Sequence, residues 1–170
     1  QKRIESIIDP LVSWFREQGR ELPFRVGRDA YRIWISEVML QQTRTAAVIP
    51  YYERFLSAFP TVEALASAPD DLLMKLWEGL GYYSRARNLK RAALSVMTDF
   101  GGVFPSRYED ILSLSGIGEY TAGAILSIAH YLPTPAVDGN VFRVISRLTE
   151  NPTDISEPKY RAYLTEKLEE

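Results

Sequence analysis

The stretch that decides the fold is "LSLSGIGEYTAGAIL", residues 112–126. Two of its three glycines, Gly116 and Gly118, stand between two apolar segments with helical spacing, so the stretch predicts a tight turn that joins two helices. Glycine tolerates the positive φ of such a turn, and the amides that begin the next helix can hold a phosphate without a basic side chain. An ordinary glycine-capped corner fits the same pattern, and the turn by itself favours that interpretation.

The rest of the chain predicts helices and shows no sustained β alternation. Residues 28–49, "RDAYRIWISEVMLQQTRTAAVI", form one long predicted helix that runs up to Pro50. A further amphipathic helix follows the glycine turn "GLGYY" at residues 79–83. Three polar residues are predicted helix N-caps: Thr61, Asp70 and Asp138. These patterns together predict an all-α protein.

Length and charge exclude several classes of protein. The 170 residues can bury one core, they carry a net charge of −2 and no Cys, and no long apolar run could span a membrane. The net charge argues against a polycation that binds nucleic acid by charge alone. Residues 79–98 nevertheless hold four basic residues and no acid, and either a solvated face or a phosphate contact fits them: Arg85, Arg87, Lys90 and Arg91.

Glu37 is the charged residue in "SEVMLQQT", residues 36–43. A Glu on a helix usually faces water, and Arg44 could pair with it. Its neighbours on the same helix face are uncharged, however: Ile33, Leu40 and Gln41. If the carboxyl is desolvated there, its pKa rises and it can give a proton to a leaving group. Asp138 in "VDGNV" is by default an N-cap, and the sequence alone does not say whether the two carboxyl groups meet.

Four motifs in this order and spacing resemble the MutY family of adenine DNA glycosylases: "SEVMLQQT", "WEGLGYYSRARNL", "LSGIGEYTAGAI" and "AVDGNVFRV". That family belongs to the helix-hairpin-helix superfamily of base-excision repair glycosylases. The likeness implies a six-helix barrel lobe at residues 22–134, with the hairpin at about 107–130. It implies a second helical lobe made of residues 1–21 and 135–170.

The resemblance also implies roles for individual residues. Glu37 matches the acid that protonates a flipped-out adenine, Asp138 matches the carboxylate that stabilises the oxocarbenium-like sugar, and Asn140 helps to orient the site. Tyr120 matches a residue that supports Asp138. Because lyase members have Lys there, a monofunctional enzyme is expected. Residues that wedge into the duplex and contact the opposite base are Gln42, Thr43 and Tyr82; the adenine pocket is Arg20, Phe24, Arg25 and Leu40, with Phe24 where the family usually has Trp.

Partners and cofactors follow from the same resemblance. The expected substrate is double-stranded DNA with adenine opposite 8-oxoguanine or guanine, bound by a monomer at the nucleoid of a bacterial cytoplasm. The expected phosphate contacts are Gly116, Gly118, Arg85 and Arg87. No cofactor or metal is expected within this chain. The family's four-cysteine [4Fe–4S] cluster and its C-terminal 8-oxoguanine domain are expected in a longer parent, because the chain stops inside a predicted helix.

Two alternatives stay open. One is a non-catalytic helix-hairpin-helix fragment that binds DNA, which would have no use for Glu37 or Asp138. The other is a related mismatch glycosylase with a different base specificity.

Overall fold

The computed structural model describes residues 2–169, and within them the chain forms helices and no β-strand. A short 3-10 helix lies at Pro23–Arg25. The α-helices are α1 (Lys2–Gln18), α2 (Ala30–Leu40), α3 (Thr45–Ala58), α4 (Val62–Ala66), α5 (Asp70–Trp77), α6 (Ser84–Asp99), α7 (Tyr108–Leu112), α8 (Glu119–His130), α9 (Gly139–Leu148) and α10 (Pro158–Glu169). The predicted all-α class is confirmed. None of the helices in this part of the chain is long and apolar enough to cross a membrane.

The larger of two compact units comprises residues 23–136. Its α2 packs against α3 and α8, and α4 packs against α6. Eight of the eleven residues of α2 are buried, including Trp34 and Glu37. A helix that is apolar on nearly all sides must be surrounded by other elements, so α2 is a core helix. Glu37 is therefore carried by a helix that is packed on most of its faces.

The helix-hairpin-helix predicted around Gly116 is confirmed. Helix α7 ends at Leu112 and α8 begins at Glu119. Gly116 has φ +80°, and a Cβ atom there would lie 2.7 Å from the Cβ atom of Asn88 on α6. Gly118 is the N-cap residue of α8, with φ −107° and open space around it. The turn therefore requires glycine at position 116 through both its backbone conformation and its packing.

The second compact unit comprises residues 1–22 and 137–170, of which the structure describes 2–22 and 137–169. Four buried residues form its small core: Phe142, Ile145, Tyr160 and Leu164. The hydroxyl groups of Ser146 and Tyr160 lie 3.0 Å apart inside it. Helix α1 contacts this core through the partly buried Ile4.

The single helix predicted for residues 28–49 is wrong. A turn at residues 41–44 separates α2 from α3, and Gln42 in that turn has φ 57°. The sequence there holds no Gly or Pro that would announce a break. The turn is held from outside by the guanidinium of Arg85, which lies more than forty residues further along the chain.

The predicted N-caps have different outcomes. Thr61 accepts a hydrogen bond from the Ala64 amide, so this cap is confirmed. Asp138 likewise caps α9. Asp70 is instead the first residue of α5, and Pro69 stands at the cap position. An acidic residue in the first turn still interacts favourably with the helix dipole, which accounts for the ambiguous pattern.

Candidate active site

Glu37 is the buried carboxylate of the larger unit. Its side chain lies near the C-terminal end of α2 and is 2% exposed. Oε1 accepts a hydrogen bond of 3.0 Å from Nη2 of Arg25, and Oε2 accepts one of 3.2 Å from the Tyr120 hydroxyl. A buried charge is tolerated only when it is paired and hydrogen-bonded, and both oxygens of Glu37 have such partners.

Three separate elements bring this group together. Arg25 is the last residue of the 3-10 helix, Glu37 lies on α2, and Tyr120 is the second residue of α8, immediately after the hairpin. Because α2 packs directly on α8, the carboxyl and the phenol meet across a helix–helix contact. The Arg25 and Tyr120 side chains are each 37% exposed. The buried carboxyl is therefore screened by two side chains that solvent and ligands can reach.

The counter-charge of Glu37 differs from the one that the sequence suggested. Arg44 does not pair with Glu37; it stands at the N-cap of α3, and Arg25 supplies the counter-charge. The hydroxyl of Tyr120 contacts Glu37, and the support of Asp138 that the resemblance implies for Tyr120 stays a prediction. Sequence spacing could not give either result, because both contacts join elements that meet only in the folded chain.

The predicted adenine-pocket residues do not share one environment. Arg25 contacts Glu37, and Leu40 is the half-buried last residue of α2. Phe24 is 2% exposed and packs edge-to-face on Tyr52, with ring centroids 5.6 Å apart. This burial favours core packing over an open stacking face for Phe24. Arg20 is exposed and belongs to the smaller unit.

The predicted wedge residues lie on two exposed turns of the larger unit. Gln42 has φ 57°, and Tyr82 has φ 46° and is 63% exposed. Thr43, the third predicted wedge residue, lies beside Gln42 and is half-buried. Residues other than glycine seldom adopt positive φ, and each such residue costs roughly 1–3 kcal/mol. Strain of this kind persists only where the surrounding structure enforces it.

Arg85 enforces it. The side chain is 8% exposed, and its Nη1 donates to the carbonyl oxygens of Val38, Met39 and Gln41 at 2.8, 3.2 and 2.7 Å. Its Nη2 donates to Leu80 and Gly81 at 3.0 and 3.3 Å. Burial lowers the pKa of this guanidinium from its ordinary value.

The predicted phosphate contact of Arg85 is therefore corrected to a structural role, because its guanidinium is turned inward onto backbone carbonyls. Arg87, two residues on, is exposed. A sequence signal for Arg85 existed: it shares helical spacing with the buried residues Leu89, Ala92 and Val96. The spacing predicts that Arg85 is buried, but it does not indicate which backbone carbonyls its guanidinium would bind.

Asp138 is held in the smaller unit. Its Oδ1 accepts hydrogen bonds of 2.9 Å from the amides of Asn140 and Val141, and its Oδ2 accepts one of 2.8 Å from Nδ2 of Asn140. Arg143 donates in turn to Oδ1 of Asn140 at 3.0 Å. Asn140 therefore fixes the orientation of the Asp138 carboxylate, and Arg143 is a supporting residue that the sequence did not reveal.

The hairpin carries the two glycines at which phosphate contacts were predicted. Gly116 and Gly118 are both exposed, and Gly118 caps α8 without a side-chain acceptor. The first amides of α8 can thus face an anion. Within residues 2–169, groups of three or more His, Asp or Glu that could hold a metal ion are absent.

The fold and this site define a class: all-helical helix-hairpin-helix proteins with a buried carboxyl beside the hairpin. Residues 35–170 match the model of the HhH-GPD superfamily of base excision DNA repair proteins, and the chain belongs to that superfamily.

Named relatives agree with the resemblance to the MutY family. The adenine DNA glycosylase of Buchnera aphidicola subsp. Baizongia pistaciae is 45% identical over 138 residues, which are 81% of this chain and 39% of that protein. The adenine DNA glycosylase of Rattus norvegicus is 47% identical over 147 residues, 81% of this chain and 28% of that protein. The chain thus spans between about a quarter and two fifths of the length of these relatives.

A solved structure, that of a thermostable thymine-DNA glycosylase, superposes with a TM-score of 0.86 at 29% identity. The superposition covers 98% of this chain and 78% of that one.

Proposed function

We propose that this chain is the catalytic region of an adenine DNA glycosylase that removes adenine paired with 8-oxoguanine or guanine in duplex DNA. The observation that carries the proposal is the buried Glu37 carboxyl, held by Arg25 and Tyr120 in a chain of the HhH-GPD superfamily. The excised base is taken from relatives that are named adenine DNA glycosylase, and the opposite base from the resemblance to the MutY family.

In the proposed reaction the adenine is first extruded from the duplex. Glu37 in its protonated form, held by Arg25 and Tyr120, passes its proton to a ring nitrogen of adenine. The C1′–N bond then breaks, and its electron pair leaves with the protonated base. Asp138 stabilises the cationic sugar, and water adds to C1′ while its proton returns to Glu37.

The same proposal makes the enzyme monofunctional. Strand cleavage by this superfamily's lyases requires an amine that forms an imine with the sugar, and Tyr120 carries a phenol instead. We therefore expect adenine release without a covalent adduct that borohydride can trap.

DNA contact is proposed through the hairpin amides at Gly116 and Gly118, with Arg87 as an exposed basic neighbour. A [4Fe–4S] cluster does not fit this chain, because the sequence holds no Cys to ligate it. We place the cluster and the 8-oxoguanine domain in a longer parent, and the protein at the bacterial nucleoid.

The test is single-turnover release of adenine from a duplex with adenine opposite 8-oxoguanine, measured in the full-length protein. Glu37→Gln should reduce the rate by at least about a thousandfold while duplex affinity stays within a few-fold, because the shape is kept and the proton is lost. Glu63→Gln, at an exposed acid on α4, is the matched control and should retain the wild-type rate.

Other results would decide for the alternatives. Release of a different base from a mismatch panel would reassign the specificity. Duplex binding with no base release from any mismatch would leave a non-catalytic DNA-binding module.

A further inference from the structure

Two turns far apart in the sequence share one side chain. The first, residues 41–44, carries Gln42, and the second, residues 79–83, carries Tyr82. Both residues have positive φ, although neither is a glycine. Neither side chain is buried, so neither conformation is enforced by burial of the side chain itself. The enforcing contact must act on the backbone.

Arg85 makes that backbone contact on both turns. Its Nη1 donates to the carbonyl oxygens of Val38, Met39 and Gln41. These carbonyls lie at the C-terminal end of α2, where the helix does not continue. A cation at this position also interacts favourably with the helix dipole. Its Nη2 donates to Leu80 and Gly81, directly before Tyr82.

Aromatic rings hold the guanidinium plane in place. The Arg85 Cζ atom lies 5.3 Å from the Trp77 ring centroid and 5.6 Å from that of Tyr82. Trp77 is buried, and its Nε1 donates to the same Gly81 carbonyl at 3.0 Å. Only a planar fork can donate to both turns while it faces these rings, so a lysine ammonium cannot reproduce the arrangement.

We propose that Arg85 is a positioning residue that fixes Gln42 and Tyr82 as one preorganised unit for insertion into the duplex. This inference rests on the proposed function and adds to it that Gln42 and Tyr82 enter the duplex when the adenine is extruded, as the resemblance implies. A preorganised wedge avoids the entropic penalty of ordering two turns during base extrusion. Arg85 therefore acts on extrusion and has no contact with DNA.

The first experiment needs no variant. Arginine side-chain NMR of the full-length protein should show Arg85 Nη protons protected from solvent exchange before any DNA is present, and this protection should be unchanged when undamaged duplex DNA is added. Fast exchange in the free protein, with protection gained only on DNA binding, would identify a phosphate contact and overturn the proposal.

The second experiment compares Arg85→Lys with Arg32→Lys. Arg32 is an exposed arginine on α2, the helix that precedes the turn at residues 41–44. With 2-aminopurine at the target position, Arg85→Lys should slow unstacking by about tenfold or more, and Arg32→Lys should match wild type. Affinity for undamaged duplex, and its dependence on salt, should be equal in all three proteins.

The outcomes separate this inference from the proposed function. If the wild type unstacks 2-aminopurine but releases no adenine, the proposed function fails while the comparison still judges Arg85. A folded Arg85→Lys protein that unstacks the base at the wild-type rate would refute the positioning role. If Arg85→Lys does not fold, the NMR result on the wild type decides.

Discussion

At the scale of single residues, the Glu37 carboxyl is held from two sides by groups of different kinds. Arg25 contributes a charge through Nη2, and Tyr120 contributes a neutral hydroxyl. The phenol orients one oxygen without neutralising it, because a neutral donor adds a hydrogen bond and no counter-charge. The two contacts should therefore be separable by substitution.

Tyr120→Phe removes the hydroxyl contact and keeps the ring. Since a hydrogen bond to a carboxylate is worth about 1.5–3 kcal/mol, the single-turnover rate of adenine release should fall by roughly ten- to a hundredfold. Tyr131→Phe, at the exposed far end of α8, is the control and should leave the rate unchanged. An unaltered rate in Tyr120→Phe would mean that the hydroxyl does not orient Glu37 during the reaction.

The buried phenol of Tyr31 makes stability sensitive to alkaline pH. Burial, with smaller contributions from Asp29 and Tyr52, raises the pKa of Tyr31, whose hydroxyl donates to the Phe59 carbonyl at 2.7 Å. The folded state thus holds this proton more tightly than the unfolded state does. Its contribution is complete below the unfolded pKa of roughly 10 and is lost as pH rises above it.

Tyr31→Phe should therefore lower the free energy of unfolding by about 1 kcal/mol at pH 8 and flatten its decline above about pH 10. Some decline should remain, because desolvation by burial also raises the pKa of Tyr52. Guanidinium denaturation across this pH range measures both effects. Tyr163→Phe, at an exposed phenol, is the control. A decline as steep in Tyr31→Phe as in wild type would place the alkaline-sensitive group elsewhere.

At the scale of elements, the two glycines of the hairpin turn look equivalent in the sequence "GIG" but differ in conformation and in surroundings. Gly116 combines φ +80° with close approach to Asn88, whereas Gly118 has φ −107° and open space where a Cβ atom would lie. Substitution of Gly116, but not of Gly118, should therefore lower the free energy of unfolding.

Gly116→Ala should therefore lower the free energy of unfolding by roughly 1–3 kcal/mol, because alanine is strained at positive φ and must displace Asn88. Gly118→Ala should change it by less than about 0.5 kcal/mol. Thermal or chemical unfolding of the two variants makes the comparison. Equal losses would show that the close packing on Asn88 has no energetic weight.

The features that the sequence predicted correctly at this scale depend on interactions between residues close in the chain. The hairpin and the caps at Thr61 and Asp138 were predictable, because glycine conformation and side-chain capping act within a few residues. The break after α2 was not, because the Arg85 contact that holds it spans 44 residues between Gln41 and Arg85. The roles of Glu37 and Asp138 came from the resemblance, since burial and hydrogen bonding of a carboxyl depend on elements remote in sequence.

At the scale of the whole molecule, the two compact units differ in the cores that support them. The smaller unit is assembled from both ends of the chain around Phe142, Ile145, Tyr160 and Leu164. The larger unit buries many more apolar residues, Trp34, Trp77 and Leu89 among them. Because stability is not uniform within a protein, the unit with the smaller core should open at a lower free energy.

Leu164→Ala tests this difference by native-state hydrogen exchange. Removing a side chain that is 3% exposed should lower the opening free energy of α9 and α10 amides by about 2–4 kcal/mol, so their exchange should accelerate by about 30-fold or more. Amides of α2 and α8 should exchange at wild-type rates, because their core contains none of the altered contacts. Leu89→Ala, at a residue 1% exposed on α6, is the matched control and should accelerate α2 and α8. Equal acceleration of all four helices by Leu164→Ala would show that the chain opens as one cooperative body, and that the carboxylates at positions 37 and 138 depend on a single folding equilibrium.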